Sequence, residues 1–137
     1  MFVVVYGPGN NGKTTLIKKC ESSFKPKEIT TIPYDWLCCS GNVDINEIFD
    51  YVQNKRLVRI MEPDDTFWND LDLNKVKHLT SCETIYSRKN NEPGKSLTFT
   101  GNIIIESVTD PRKNEHLLSN SAFMNRMTVV DLSHVQY

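Results

Sequence analysis

The sequence predicts a three-layer α/β domain with a mostly parallel central sheet. Apolar runs of strand length alternate along the chain with segments of helical periodicity, which is the order of elements in βαβ units. The first run, Phe2–Tyr6, shows no apolar–polar alternation, as expected for a central strand that has helices on both faces. A chain of 137 residues can bury a core of its own, and one domain is expected.

The elements can be justified in chain order. After the first strand, Lys13 opens a helix that runs to about Phe24 and ends before Pro26, because proline cannot continue a helix. Apolar residues at helical spacing predict a second helix over 43–54, with Asp44 near its N-terminus, where the helix dipole favours an acid. The other predicted elements are strands at 28–33 and 57–61, a helix at 70–80, a polar loop at 87–95, a β-rich stretch at 97–107, a short helix at 115–123 and a last strand at 127–132.

Charge and composition limit the function classes. The 16 basic and 17 acidic side chains give a net charge of −1, so any surface for nucleic acid must be local. The four cysteines form no C-x-x-C pair and have no histidines at ligand spacing, which argues against a zinc site and a disulfide framework. The chain has no apolar stretch of about 18 residues and no charged leader, so we expect no membrane association and a location in the cytoplasm or nucleus, a host's if the protein is viral.

The strongest chemical signal is the segment 7–14, which reads GPGNNGKT and matches the phosphate-binding loop (P-loop) pattern G-x-x-x-x-G-K-[ST]. A strand, a glycine-rich turn and a helix N-terminus direct backbone N–H groups and about half a positive charge at one point. In this pattern Lys13 reaches the β- and γ-phosphates and the Thr14 hydroxyl binds Mg²⁺. The predicted ATP-binding residues are Gly7, Pro8, Gly9, Asn10, Asn11, Gly12, Lys13, Thr14 and Thr15.

Hydrolysis of ATP also requires a carboxylate at the end of a neighbouring strand, where it holds the magnesium shell and orients the attacking water. Glu62 follows the apolar run 57–61 and is expected at the carboxyl edge of the sheet, the same edge as the P-loop. Asp64 and Asp65 are the alternatives. The predicted metal ligands are therefore Thr14 and Glu62, with ATP and Mg²⁺ as cofactors.

These motifs resemble those of the superfamily 3 helicases of DNA viruses, plasmids and phages, particularly the poxvirus-type and phage-type primase-helicases, and the resemblance spans nearly the whole chain. Members carry a GPGNNGKST-like P-loop, similar to GPGNNGKTT here, and a strand that ends in glutamate, similar to RLVRIMEP at 56–63. Their lysine-rich motif is similar to VKHLTSCETIYSR at 76–88. The resemblance implies an AAA+-like P-loop NTPase fold and a viral replication ATPase.

The resemblance also implies a nucleic-acid surface on the segment 76–88 and the loop after it, which would face the channel of a ring. A polar loop with lysines can follow phosphates without reading bases. An ordinary solvated loop is the alternative interpretation. The implied partner is single-stranded nucleic acid, DNA rather than RNA. The candidate contacts are Lys77, Arg88, Lys89 and Lys95.

One position departs from the family pattern. Members end a later strand in an asparagine, shortly before a proline, and this asparagine polarises the attacking water. In the register we prefer, the corresponding residue is Val108, before Pro111, with Ser107 and Thr109 as its only polar neighbours. A strand placed earlier would give the role to Asn102. The departure argues against efficient hydrolysis of ATP and does not affect the predicted binding of nucleotide.

The end of the chain completes the resemblance. The family ending R-x-x-v-i-x-f is similar to RMTVVDL at 126–132, so Arg126 would be the arginine finger that completes the ATP site of a neighbouring subunit. A salt-bridged arginine before an edge strand is the alternative interpretation. The implied assembly is a homo-oligomeric, hexameric ring, and the implied catalytic residues are Lys13, Glu62 and Arg126.

The sequence as a whole thus predicts an ATP-dependent helicase or translocase core for viral or plasmid genome replication. We expect a single motor-core domain over 1–137, lacking the family's usual flanking domains, with other replication proteins as possible suppliers of those parts. The alternatives are a nucleotide-binding scaffold with little turnover and a small P-loop kinase, although a kinase needs lid arginines and the loop 87–95 offers only Arg88. Trp36, Phe67 and Trp68 are expected in the core.

Overall fold

The computed structural model describes residues 1–7, 12–60, 66–87 and 93–134. Its strands are β1 (Phe2–Tyr6), β2 (Ile29–Ile32), β3 (Leu57–Ile60), β4 (Thr84–Ser87), β5 (Lys95–Thr98), β6 (Asn102–Ser107) and β7 (Met127–Asp131). Its α-helices are α1 (Lys13–Glu21), α2 (Ile45–Val52), α3 (Phe67–Asp70), α4 (Leu73–Thr80), α5 (Glu115–Leu118) and α6 (Ser121–Arg126). Short 3₁₀ turns lie at Pro26–Glu28, Tyr34–Leu37 and Pro111–Lys113.

The central sheet has five strands in the order β2-β3-β6-β1-β7, and every pairing in it is parallel. This confirms the predicted α/β class. The first strand is central, as its uninterrupted apolar run predicted, because β6 and β7 pair on its two sides. In the register Tyr6 lies opposite both Ser107 and Asp131, so the three strands end at one edge of the sheet.

Alternation along the strands divides the core into two layers. Phe2 and Val4 belong to the larger layer, which also contains buried residues of α2 to α6. Val3 and Val5 lie on the opposite face, where Leu16 and Ile17 of α1 cover the sheet. The buried Phe67 and Trp68 confirm the expected core positions, and Trp36 packs against the same layer.

The observed elements are shorter than the sequence predicted, and capping residues explain most of the difference. Asp72 accepts hydrogen bonds from the amides of Asn74 and Lys75, so the helix predicted over 70–80 begins only at Leu73 as α4, and Asp70 ends the preceding helix α3. Asn120 accepts one from Phe123 and separates α5 from α6 in the same way. The predicted helix from Lys13 ends at Glu21 and continues to Phe24 only as turns.

The β-rich stretch at 97–107 is two strands that belong to different sheets. Its second part, 102–107, is β6 of the central sheet. Its first two residues belong to β5, which pairs antiparallel with β4. The sequence analysis did not identify β4. These two strands form a hairpin joined by the segment 88–94, of which residues 88–92 lie outside the described residues.

Candidate functional site

The start of α1 lies at the carboxyl edge of the sheet. The Gly7 amide donates a hydrogen bond to the Ser107 carbonyl (3.1 Å), which extends the β1–β6 pairing by one residue. Gly12 precedes the helix with φ 88°, a left-handed conformation that glycine adopts without a Cβ penalty. Its carbonyl accepts from Leu16 (2.9 Å), the first bond of the helix. The predicted loop residues Pro8, Gly9, Asn10 and Asn11 lie outside the described residues.

Lys13 is buried at the beginning of this helix. The residue is 7% exposed, and its ammonium group donates a hydrogen bond to the Gly7 carbonyl at the end of β1. A buried ammonium is stable only among groups that compensate its charge. The Lys13 ammonium group therefore lies between the end of β1 and the N-terminus of α1, where the P-loop pattern predicts this lysine.

Thr14 points toward a carboxylate that the sequence analysis did not select. Its hydroxyl donates a hydrogen bond to Oε2 of Glu106 at 3.2 Å. Thr15 is exposed. Glu106 lies in β6 opposite Val5 and is 9% exposed. An acid directly after Ile103, Ile104 and Ile105 in an apolar strand was the available signal, because isolated charges are rarely placed in central strands.

Arg59 of β3 is the charged residue that pairs with Glu106. One guanidinium nitrogen lies 3.5 Å from Oε1 of Glu106 and another lies 3.2 Å from Oε1 of Glu21 at the end of α1. In β3, Leu57 belongs to the α1 side of the core, and Arg59 follows it on that face by strand alternation. A continuous polar chain therefore runs under α1 from Glu21 through Arg59 and Glu106 to Thr14.

The bounds of β6 show where Asn102 and Val108 lie relative to the strand. Asn102 begins the strand at its amino end, so the alternative that gave Asn102 the family's asparagine role does not fit this fold. Val108 follows the strand and is 49% exposed. Ser107 is buried, donates to the Thr109 carbonyl (2.7 Å) and accepts from the Trp68 indole (3.1 Å). Its hydroxyl is committed to the structure of this turn.

A cluster of charges joins the ends of β6, β1 and β7. Arg112 binds Asp110 at 2.9 Å and Asp131 at 2.6 Å, and its guanidinium carbon lies 6.0 Å from the centre of the Tyr6 ring. The hydrogen bond from Arg112 lowers the pKa of Asp110. Hydrogen bonds from Ser133 and then from Arg112 lower the pKa of Asp131. The cluster ties the turn after β6 to the last strand of the sheet.

The candidate nucleic-acid residues fall into two groups. Arg88 and Lys89 lie outside the described residues, as do the predicted acid Glu62 and its alternatives Asp64 and Asp65. Lys77 is exposed on α4. Lys95 begins β5 and forms an ion pair with Asp50 of α2 at 2.7 Å, so this lysine is engaged within the chain.

Arg126 lies at the opposite edge of the sheet from Lys13. It ends α6, and the next residue, Met127, pairs with Phe2 at the amino end of β1. Five strand residues separate these edges, roughly 16 Å at about 3.3 Å per residue. Among the described residues, none forms a hydrogen bond or an ion pair with the Arg126 guanidinium. Arg126 and Lys77 line one pocket of ≈150 Å³ together with Leu73, Asn74, Asn120, Ala122 and Phe123.

The residues at the carboxyl edge fit a magnesium–nucleotide complex. Mg²⁺ prefers oxygen ligands, of which the Thr14 hydroxyl is one, and Lys13 supplies a cation for phosphate. Within the described ranges no group of three or more acidic, histidine or cysteine side chains could hold a metal alone.

Comparison with known proteins supports the fold. No protein-family model matches the chain, and no curated protein matches it. The apo structure of the C-terminal region of NrS-1, a phage primase-helicase, matches with a TM-score of 0.60 and 20% identity over 98% of this chain. This chain spans 29% of the length of that structure. A second match is the helicase of the polyomavirus JCV, solved with a bound acetamide compound. Its TM-score is 0.45 and its identity 13%, and the match covers 95% of this chain and 35% of the JCV helicase chain.

In the described part of the chain, the helices are too short or too polar for any of them to cross a bilayer.

The Arg112 cluster predicts a pH dependence of stability. Because the pKa values of Asp110 and Asp131 are lowered in the folded state, their contribution is present above the unfolded pKa of about 3.9 and is lost as pH falls through the folded values. We expect Arg112→Met to lower the urea midpoint at pH 6 and to reduce its further decline between pH 5 and pH 2.5. Lys113→Met is the matched control and should change this slope much less. Equal slopes for wild type and Arg112→Met would contradict the assignment.

Proposed function

We propose that this chain is the motor core of an ATP-dependent nucleic-acid helicase or translocase that acts in viral or plasmid genome replication. The observation that carries the proposal is the buried Lys13 at the start of α1, beside the Thr14–Glu106 contact at the carboxyl edge of a parallel sheet. Open α/β sheets bind their ligands at this edge. The likeness of the fold to the NrS-1 region adds support at the level of architecture.

In this proposal residues 7–15 hold the phosphates of ATP. Backbone amides at the start of α1 face the phosphates, Lys13 neutralises them, and Thr14 with Glu62 binds Mg²⁺. The bound metal would supply neutralisation of the charge that develops between the β- and γ-phosphates. The chain's own contribution is to hold Lys13 and Thr14 side by side at one helix end, so that both groups would act on the same phosphate pair.

We propose that Arg126 completes the ATP site of a second copy of the chain. Its place at the far edge of the sheet supports this role, because the guanidinium cannot reach the phosphates bound by its own Lys13. Its lack of a partner among the described residues leaves the guanidinium available to an anion. The proposed assembly is a hexameric ring in the host cytoplasm or nucleus, with other replication proteins supplying further domains.

Single-stranded DNA is the proposed polymer, bound along the ring channel by the β4–β5 hairpin and α4. Lys77 is exposed on α4, and Arg88 and Lys89 belong to the segment that joins the two strands of the hairpin. Lys95 must exchange Asp50 for a phosphate, so its contribution should be smaller than that of an unengaged lysine. Such contacts follow the backbone and do not read sequence.

A nucleotide-binding scaffold with little turnover is the second candidate. It is favoured by the end of β6, where Val108 occupies the family's asparagine position and the Ser107 hydroxyl is already satisfied by Trp68 and Thr109. Neither side chain can polarise an attacking water as arranged here. The scaffold and the motor share the nucleotide site and differ in turnover.

Phosphate release with and without single-stranded DNA tests the motor. We expect slow hydrolysis by the chain alone and at least severalfold stimulation by a DNA oligonucleotide, because the cations of the hairpin and α4 would contact its phosphate backbone. ATP binding at micromolar concentrations with no release in either condition would favour the scaffold. Transfer of phosphate to an added nucleoside monophosphate would favour a kinase. Stimulation should fall steeply with salt, because the contacts are electrostatic.

Lys13→Ala should abolish binding of ATP and ADP, because it removes the cation beside the phosphates. Lys18→Ala is the matched control: Lys18 lies on the same helix, is exposed and is distant from the helix start. Calorimetric titration measures both, and circular dichroism checks that the fold persists. Wild-type affinity in Lys13→Ala would overturn the nucleotide site.

Arg126→Ala should leave ATP affinity within about twofold of wild type and lower turnover by about 10³-fold, the scale of arginine fingers in other NTPases. The neighbouring exposed residue provides the control Asn125→Ala, which should keep full turnover. Mixing Arg126→Ala with Lys13→Ala should restore part of the activity, because each Lys13 variant still lends its arginine to an intact site. No recovery on mixing would mean that the arginine does not act between subunits.

A further inference from the structure

We propose that Glu106 is a positioning residue for the magnesium site, where it directs the Thr14 hydroxyl toward the metal and is itself held by Arg59. The inference rests on the proposed nucleotide function and adds a residue that the P-loop pattern does not contain. It starts from the placement of an acid in the middle of the central sheet, opposite Val5, with 9% of its surface exposed.

The position of Glu106 is costly unless the carboxylate has a use. Ile104, two residues earlier, lies on the same face of β6 and is part of the apolar layer under α1. An apolar residue would continue that layer without any cost of desolvating a charge. Glu106 occupies the last inward position of this face before the strand ends, directly beneath the first turn of α1.

The contact between Thr14 and Glu106 fixes which side of the hydroxyl remains open. A threonine hydroxyl has one proton to donate and two lone pairs to offer. Because the carboxylate can only accept, the Thr14 proton must point toward Oε2 of Glu106, 3.2 Å away. The lone pairs then face away from the sheet, toward the side where the helix N-terminus meets the phosphates. A metal bound there would find its ligand already oriented, as carboxylate partners orient ligands at other metal sites.

Arg59 holds the carboxylate in this orientation. It lies 3.5 Å from Oε1 of Glu106, the oxygen that Thr14 does not use, and 3.2 Å from Glu21. One guanidinium therefore serves two acids. If Glu106 only supported the fold, its ion pair with Arg59 would be enough. Its second contact, with Thr14, connects it to the helix start that is proposed to bind nucleotide.

The test measures how much Mg²⁺ tightens ATP binding. In wild type, ATP affinity is measured by calorimetry in excess Mg²⁺ and in excess EDTA, and the ratio of the two constants is the magnesium-linked gain. In Glu106→Gln we expect the EDTA affinity to stay within about twofold of wild type and the gain to fall roughly tenfold, the lower end of the effect of removing such partners at metal sites. Mn²⁺ binding to the ADP complex, followed by electron paramagnetic resonance, should weaken by the same factor.

Two further variants separate positioning from structural support. Glu106→Asp keeps the charge next to Arg59 but is one methylene shorter, so it should lose the contact with Thr14 and show the same loss of gain. Glu21→Gln removes the other partner of Arg59 and should keep the wild-type gain. A full gain in both Glu106 variants would overturn the inference while leaving the nucleotide site intact. Failure of wild type to bind ATP in either buffer would instead overturn the proposed function.

Discussion

The hydrogen bond from the Gly7 amide to the Ser107 carbonyl is the constraint on which the candidate site depends. It carries the pairing of β1 with β6 beyond the strand and fixes where the glycine-rich segment leaves the sheet. The same register sets Glu106 opposite Val5 and therefore beneath the start of α1. A slip of one residue would turn Glu106 toward the larger core and separate it from Thr14, because side chains alternate between the two faces.

The two faces of the sheet serve different purposes. The larger layer supplies most of the buried apolar area and anchors the hairpin, α4 and α6 to the sheet. The α1 face is apolar along β1 and carries the charges of Arg59 and Glu106 on the two neighbouring strands β3 and β6. Stability and chemistry are thus separated between the two layers, and the polar residues of the site do not interrupt the main core.

Local signals explain what the sequence could predict. The apolar run Phe2–Tyr6 and the GPGNNGKT segment are each continuous, so they identified the central strand and the helix after it. The roles of Arg59 and Glu106 depend on the order β3-β6-β1, which joins residues 47 positions apart and cannot be deduced from any single window. The helix starts after Asp72 and Asn120 were missed because apolar spacing continued across the N-caps that begin α4 and α6.

The separation of Arg126 from Lys13 across the sheet also limits how copies of this chain can associate. In the proposed assembly, the amino edge of one copy meets the carboxyl edge of the next, and this contact is heterologous unless a twofold pair satisfies it reciprocally. Repetition of such a contact gives either a closed cycle or an open helical filament, and the rotation between successive copies decides which. The number of copies in such an assembly would then depend on the interface angle and not on the residues proposed to bind ATP.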